Sequence, residues 1–67
     1  MASGQGEGVI FEFVTVGSYV KVSAIDTGTG TEVSIVGSPA SGEAMLRRTA
    51  LRKLQYVLEK KRTGGRP

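Results

Sequence analysis

The chain has no cysteine, no histidine and no tryptophan, and only two prolines among its 67 residues. Without cysteine no disulfide can form, and without cysteine or histidine the usual zinc sites are excluded. The same two absences remove the commonest nucleophile and general base of enzymes. Aromatic residues are few: Phe11, Phe13, Tyr19 and Tyr56 complete the set. Long apolar runs are missing as well. The longest, Val9 to Val16, is interrupted by Glu12 and Thr15, too short and too polar to cross a bilayer. The N-terminus lacks the basic start and unbroken apolar stretch of a secretory signal. A soluble, cytoplasmic protein is therefore expected, and the lack of cysteine suits a reducing compartment.

Length sets the next constraint. Residues 1–8 hold three glycines and no large apolar residue after Met1, and residues 63–67 read Thr-Gly-Gly-Arg-Pro. Neither end can bury enough surface to offset its ordering entropy, so both are expected to be disordered tails. One domain remains, residues 9–62. A core of that size is marginal unless a disulfide, a metal or a partner supports it. The first is impossible and the second has no ligands, which leaves a partner.

The domain divides by its periodicities. Residues 9–16 are β-branched and aromatic, as a pleated surface favours, and predict the first strand. Gly17-Ser18 suits a two-residue type II′ hairpin, with glycine first. That turn sets Val16 opposite Tyr19 and Phe13 opposite Val22 in a second strand, residues 19–25. Asp26 and the loop Thr27-Gly28-Thr29-Gly30 lead to a third strand, residues 31–36. A four-residue loop sets Ala24 against Val33 and Val22 against Ile35. Gly37 to Gly42 breaks the pattern and reads as a linker, in which Ser38 or Ser41 can cap a helix. Leu46, Ala50, Leu51, Leu54, Val57 and Leu58 then recur at helical spacing, predicting that helix from about residue 42 to about residue 62. Glu43 lies near its positive end and Lys60, Lys61 and Arg62 near its negative end. Thr63-Gly64-Gly65 stops it. The expected class is α+β: a three-stranded antiparallel meander followed by one C-terminal helix.

The registers give the sheet two apolar faces. One presents Phe11, Phe13, Val20, Val22, Ala24, Val33 and Ile35, which the helix can cover. The other presents Ile10, Val14, Val16, Tyr19, Ile25 and Val36, with Glu12, Lys21, Glu32 and Ser34 among them. A second helix to cover those six residues does not exist. They are the expected interface of a homodimer, formed by pairing these faces or by exchanging helices across the Gly37–Gly42 linker.

The charge is +3 overall, and eight of the nine basic residues fall between Arg47 and Arg66. Arg48, Arg52, Lys53, Tyr56 and Lys60 lie off the apolar stripe of the helix, where they could grip nucleic-acid phosphates and stack on a base. An acidic protein is the other partner such a face would suit, and dipole-matched surface cations are the plainer account. Arg47, at the edge of the stripe, snorkels or pairs with Glu12 or Glu32 across a dimer. No carboxylate pair, triad or metal cluster can be assembled, so neither an enzyme nor a cofactor is expected.

Three resemblances bear on function. Asp26-Thr27-Gly28, preceded by Ala24-Ile25, resembles the motif of retroviral-type aspartic proteases, whose dimers pair two such aspartates to activate water. The chain is shorter than those enzymes and has no evident flap strand, and Asp-Thr-Gly is also an ordinary turn sequence. Gly28-Thr29-Gly30 lacks the following helix of a phosphate-binding loop. The strand-strand-strand-helix order resembles the C-terminal part of double-stranded-RNA-binding domains, but Gly42-Glu43-Ala44 stands where those carry lysines. The segments Gly8 to Val14, Tyr19 to Val22, Ala24 to Asp26, Thr29 to Gly37 and Ala50 to Leu58 together resemble a family of short alphaproteobacterial proteins, a domain of unknown function. That resemblance implies a bacterial cytosolic protein and assigns no activity or site.

Overall fold

The computed structural model describes residues 8–62. The tails expected at residues 1–7 and 63–67 lie outside the described residues. Gly8, assigned to the N-terminal tail by composition, belongs to the fold. Its carbonyl accepts the Thr27 backbone N–H at 2.8 Å and the Thr27 hydroxyl at 3.2 Å.

Three antiparallel strands in the order β1-β2-β3 are followed by one helix. They are β1 (Val9–Val16), β2 (Tyr19–Asp26) and β3 (Glu32–Gly37). Both registers are those the turns dictate, with Val16 opposite Tyr19, Phe13 opposite Val22, Ala24 opposite Val33 and Val22 opposite Ile35. Gly17 has φ +59° while Ser18 does not have positive φ, which is the signature of a II′ rather than a I′ turn. The third strand begins one residue later than its composition suggests. Thr31 is drawn into the loop instead, where its backbone N–H is bound by the Thr29 hydroxyl at 3.2 Å.

The expected linker is partly ordered. Pro39–Ser41 forms a 3₁₀ turn capped by Ser38, whose Oγ accepts the Ala40 N–H at 3.1 Å. Proline at the first position fits such a turn, because its ring presets φ and its missing N–H is not needed there. Gly42 then reverses direction at φ +90°, a conformation that favours glycine. Its carbonyl receives the Leu46 N–H at 3.1 Å and so starts α1 (Glu43–Arg62).

The core lies between α1 and one face of the sheet. Val22, Ala24, Val33, Leu46, Ala50 and Leu54 are buried, with Val9, Phe11, Phe13, Val20, Ile35, Val57 and Leu58 packed around them. Val9 joins this face by the same alternation that places Phe11 and Phe13 there. Leu51, part of the expected helix stripe, sits at its margin and is half-buried. The helix lies mainly on β2 and β3 and leaves β1 to one side.

Gly37 shows how closely the two layers meet. It faces the helix opposite Val20, and a Cβ there would run into Cδ2 of the buried Leu46. Gly37→Ala should therefore destabilise the fold by about 1–3 kcal/mol through overpacking. Leu54→Ala, which opens a cavity at the centre, should cost about 2–5 kcal/mol. Denaturant titrations followed by circular dichroism measure both.

Candidate functional site

The strand pleat sorts every sheet residue onto one of two faces, and the face away from α1 has no layer over it among the described residues. Its rows follow from the registers: Ile10, Ile25 and Glu32; then Glu12, Ser23 and Ser34; then Val14, Lys21 and Val36; then Val16 beside Tyr19. Five of the six expected interface residues are exposed, Val36 at 64%, Val14 at 51% and Ile10 at 50% of their surface, together with Val16 and Tyr19. The sixth, Ile25, is half-buried. The row between the apolar rows is low and polar. Ser23 is buried by its neighbours, and its hydroxyl lies 3.1 Å from that of Ser34, so each short side chain satisfies the other. The open face is thus a set of apolar ridges flanking a shallow trough, with Glu12, Lys21 and Glu32 as its charges.

The basic helix face is only partly assembled as expected. Arg48, Arg52 and Tyr56 are exposed. Lys53 instead reaches the sheet, where its Nζ donates to the Ser34 carbonyl at 2.8 Å. Lys60 Nζ lies 5.5 Å from the centre of the Tyr56 ring, so the cation over that ring comes from the next turn of α1 toward its C-terminus. Arg47 does not extend to the open face, where Glu12 and Glu32 lie. Its guanidinium sits 5.5 Å from the Phe11 ring centre and 5.7 Å from that of Phe13, with Glu43 at 3.8 Å. The reason is geometric. Phe11 and Phe13 lie on the helix side of β1, and Arg47 reaches from α1 over the strand that the helix covers least.

Asp26 organises the β2–β3 loop. Its Oδ2 accepts the Thr29 N–H at 3.0 Å and the Thr29 hydroxyl at 2.7 Å, and its carbonyl accepts the Gly30 N–H at 2.7 Å. Thr29 Oγ1 also lies 2.8 Å from Thr31 Oγ1, which accepts from Lys61 Nζ at 3.1 Å. The aspartate thus starts an Asx-type turn, and the helix end is tied to the same loop. Between them runs an open groove of about 800 Å³ lined by Asp26, Thr29, Gln55, Leu58, Glu59 and Lys61. Among the described residues no group of three or more acidic side chains is placed to hold a metal, and no helix is long and apolar enough to cross a membrane.

Sequence reasoning missed the two lysines that reach from α1 to the sheet and loop. The signal was indirect: Lys61 continues the apolar stripe one turn beyond Val57 and Leu58 and Lys53 flanks it beside Leu46, but only the angle of the helix across the sheet decides which strand each meets.

Residues 6–61 match the model of a family described as a domain of unknown function. No curated protein and no solved structure matches the chain.

If the Asp26 carboxylate is the cap of this loop, Asp26→Ala should cost about 1–2 kcal/mol and speed exchange of the Thr29 amide. Hydrogen exchange read residue by residue should show that loss at Thr29 while the Val22 and Ala24 amides stay slow.

Proposed function

The chain belongs to the DUF6898 family, and we propose that it is a homodimeric, non-enzymatic interaction module. The observation that carries this reading is the open sheet face, where Ile10, Val14, Val16, Tyr19 and Val36 stand exposed together with half-buried Ile25. Two exposed apolar ridges on one face of so small a domain mark an interaction surface. The occupant is a second copy of the same face. Such a pairing is isologous, and the face carries both signs of charge, so Lys21 of one protomer has Glu12 or Glu32 of the other to meet. The ordered 3₁₀ turn at Pro39–Ser41, within the hinge that an exchange would open, favours pairing of closed protomers over exchange of helices. A bacterial cytosolic setting is part of the proposal; the bacterial origin is what the family resemblance implies, and the cysteine-free composition suits a reducing compartment.

Nucleic-acid binding is the second reading, supported by the exposed Arg48, Arg52 and Tyr56 on one helix. The engagement of Lys53 with the sheet removes one cation from that surface and makes it the weaker of the two. An acidic protein would use the same surface.

Two measurements separate these readings. A folded dimer is stabilised by mass action, so its melting temperature should rise with protein concentration. Val14→Lys should reduce that rise by burying a charge in the interface, whereas Arg52→Glu should leave it intact. A melting temperature independent of concentration contradicts the dimer. In mobility-shift titrations, affinity for nucleic acid that falls steeply with salt and is lost in Arg48→Glu/Arg52→Glu would favour the second reading.

A further inference from the structure

The two edges of the sheet are treated differently by the rest of the chain. Hydrogen-bond phase decides which backbone groups point outward. Thr27 N–H bonds to the Gly8 carbonyl, and these residues continue the β1–β2 register. Alternation then pairs Ile10, Glu12, Val14 and Val16 with β2 and turns the N–H and C=O groups of Val9, Phe11, Phe13 and Thr15 to the outer edge. On the other side, Asp26 N–H bonds to the Thr31 carbonyl in the β2–β3 register. The same rule turns the backbone groups of Glu32, Ser34 and Val36 outward from β3.

The β3 edge is blunted. It is short, and Lys53 reaches from α1 to cap the outward Ser34 carbonyl at 2.8 Å. An edge lysine of this kind is a usual defence against further strand pairing. β1 has eight residues, reads Val-Ile-Phe-Glu-Phe-Val-Thr-Val, and contains neither lysine nor proline. Among the described residues, no side chain bonds to its outward backbone groups. It is also the strand least covered by α1, and Phe11 and Phe13 remain half-buried with Arg47 over them.

We propose that β1 pairs antiparallel with β1 of a second copy, joining two three-stranded sheets into one continuous sheet with both helices on the same side. This rests on the reading of the chain as self-associating and adds a second surface to it. The strand is complementary to itself because its outward groups recur at every second residue, from Val9 to Thr15. Side chains then select the register. Pairing centred on Glu12 would set two carboxylates directly opposite each other, which is unfavourable. Pairing centred on Phe13 avoids this. It places Phe13 across from the partner's Phe13, Phe11 across from the partner's Thr15, and Glu12 across from the partner's Val14. It also engages the strand from Ile10 to Val16, where a centre at Phe11 would stop at Phe13 within the strand. Together with open-face pairing whose two-fold axis meets this one at right angles, this second two-fold contact gives a closed assembly of four chains.

The test begins with the unaltered full chain. Amide exchange at Phe11, Phe13 and Thr15 should be fast in dilute protein and slow at least tenfold as concentration rises. Fast exchange at all concentrations overturns the proposal. Two backbone changes then locate the contact: Thr15→Pro, and the full chain synthesised with an N-methyl group at Phe13. Both remove an outward N–H, which an edge strand tolerates, and circular dichroism reports that the fold is kept. Light scattering should show either change halving the limiting mass, whereas Val36→Lys, confined to the open face, leaves a pair of chains. Should the N-methyl chain fold and keep the full mass, strand pairing is wrong. If that mass is then lost in Val36→Lys, the open-face reading survives alone. Should the N-methyl chain become monomeric while Val36→Lys changes nothing, strand pairing stands and the open-face reading falls.

Discussion

A helix is about 10–12 Å across with its side chains, and the strands beneath it repeat every ~4.8 Å, so one helix covers little more than two strands of one face. Among the described residues one α-helix lies on a three-stranded sheet, and the rest of the structure is arranged around that mismatch. Leu46, Ala50 and Leu54 close on Val22, Ala24 and Val33, in the half of the sheet formed by β2 and β3. Gly37 allows the helix to come close there, since any Cβ would meet Leu46. What the helix leaves uncovered is set by the same geometry: the opposite face and the flank along β1.

The polar interactions reinforce this asymmetry. Lys53 and Lys61 both reach from α1 to the β3 side, one to a strand carbonyl and the other to the loop hydroxyl of Thr31. Asp26 and Thr29 hold that loop from within. On the β1 side Arg47 lies with its guanidinium over two phenylalanine rings. Such a contact is worth about 0.5–1 kcal/mol at an exposed site and shields the rings without filling the space above them. One edge is thus closed by the chain itself, while the other is available.

Much of this was legible in the sequence because strand pairing obeys short-range rules. Gly17-Ser18 fixes the first register and the Asp26–Gly30 loop the second, and once both are set the period of two assigns Phe11, Val22 and Ile35 to one face and Val14, Tyr19 and Val36 to the other. The features that were not legible depend on tertiary placement. Gly37 reads as a strand breaker, and only the approach of Leu46 gives it a packing role. Lys53 reads as one cation of a basic face, and only the crossing position of α1 brings it to Ser34. Arg47 reads as a stripe-edge cation that snorkels or pairs with an acid across a dimer, and only the placement of α1 beside β1 brings it over the rings of Phe11 and Phe13.

The dimer turns on whether a second copy covers the open face in solution. Methyl resonances of Ile10, Val14, Ile25 and Val36, recorded with a soluble paramagnetic agent across a dilution series, report on that face residue by residue, with the buried Leu54 methyls as internal reference. With the face covered, the four residues should be shielded nearly as well as Leu54 in concentrated protein and become accessible together on dilution. Full accessibility at every concentration would contradict the dimer.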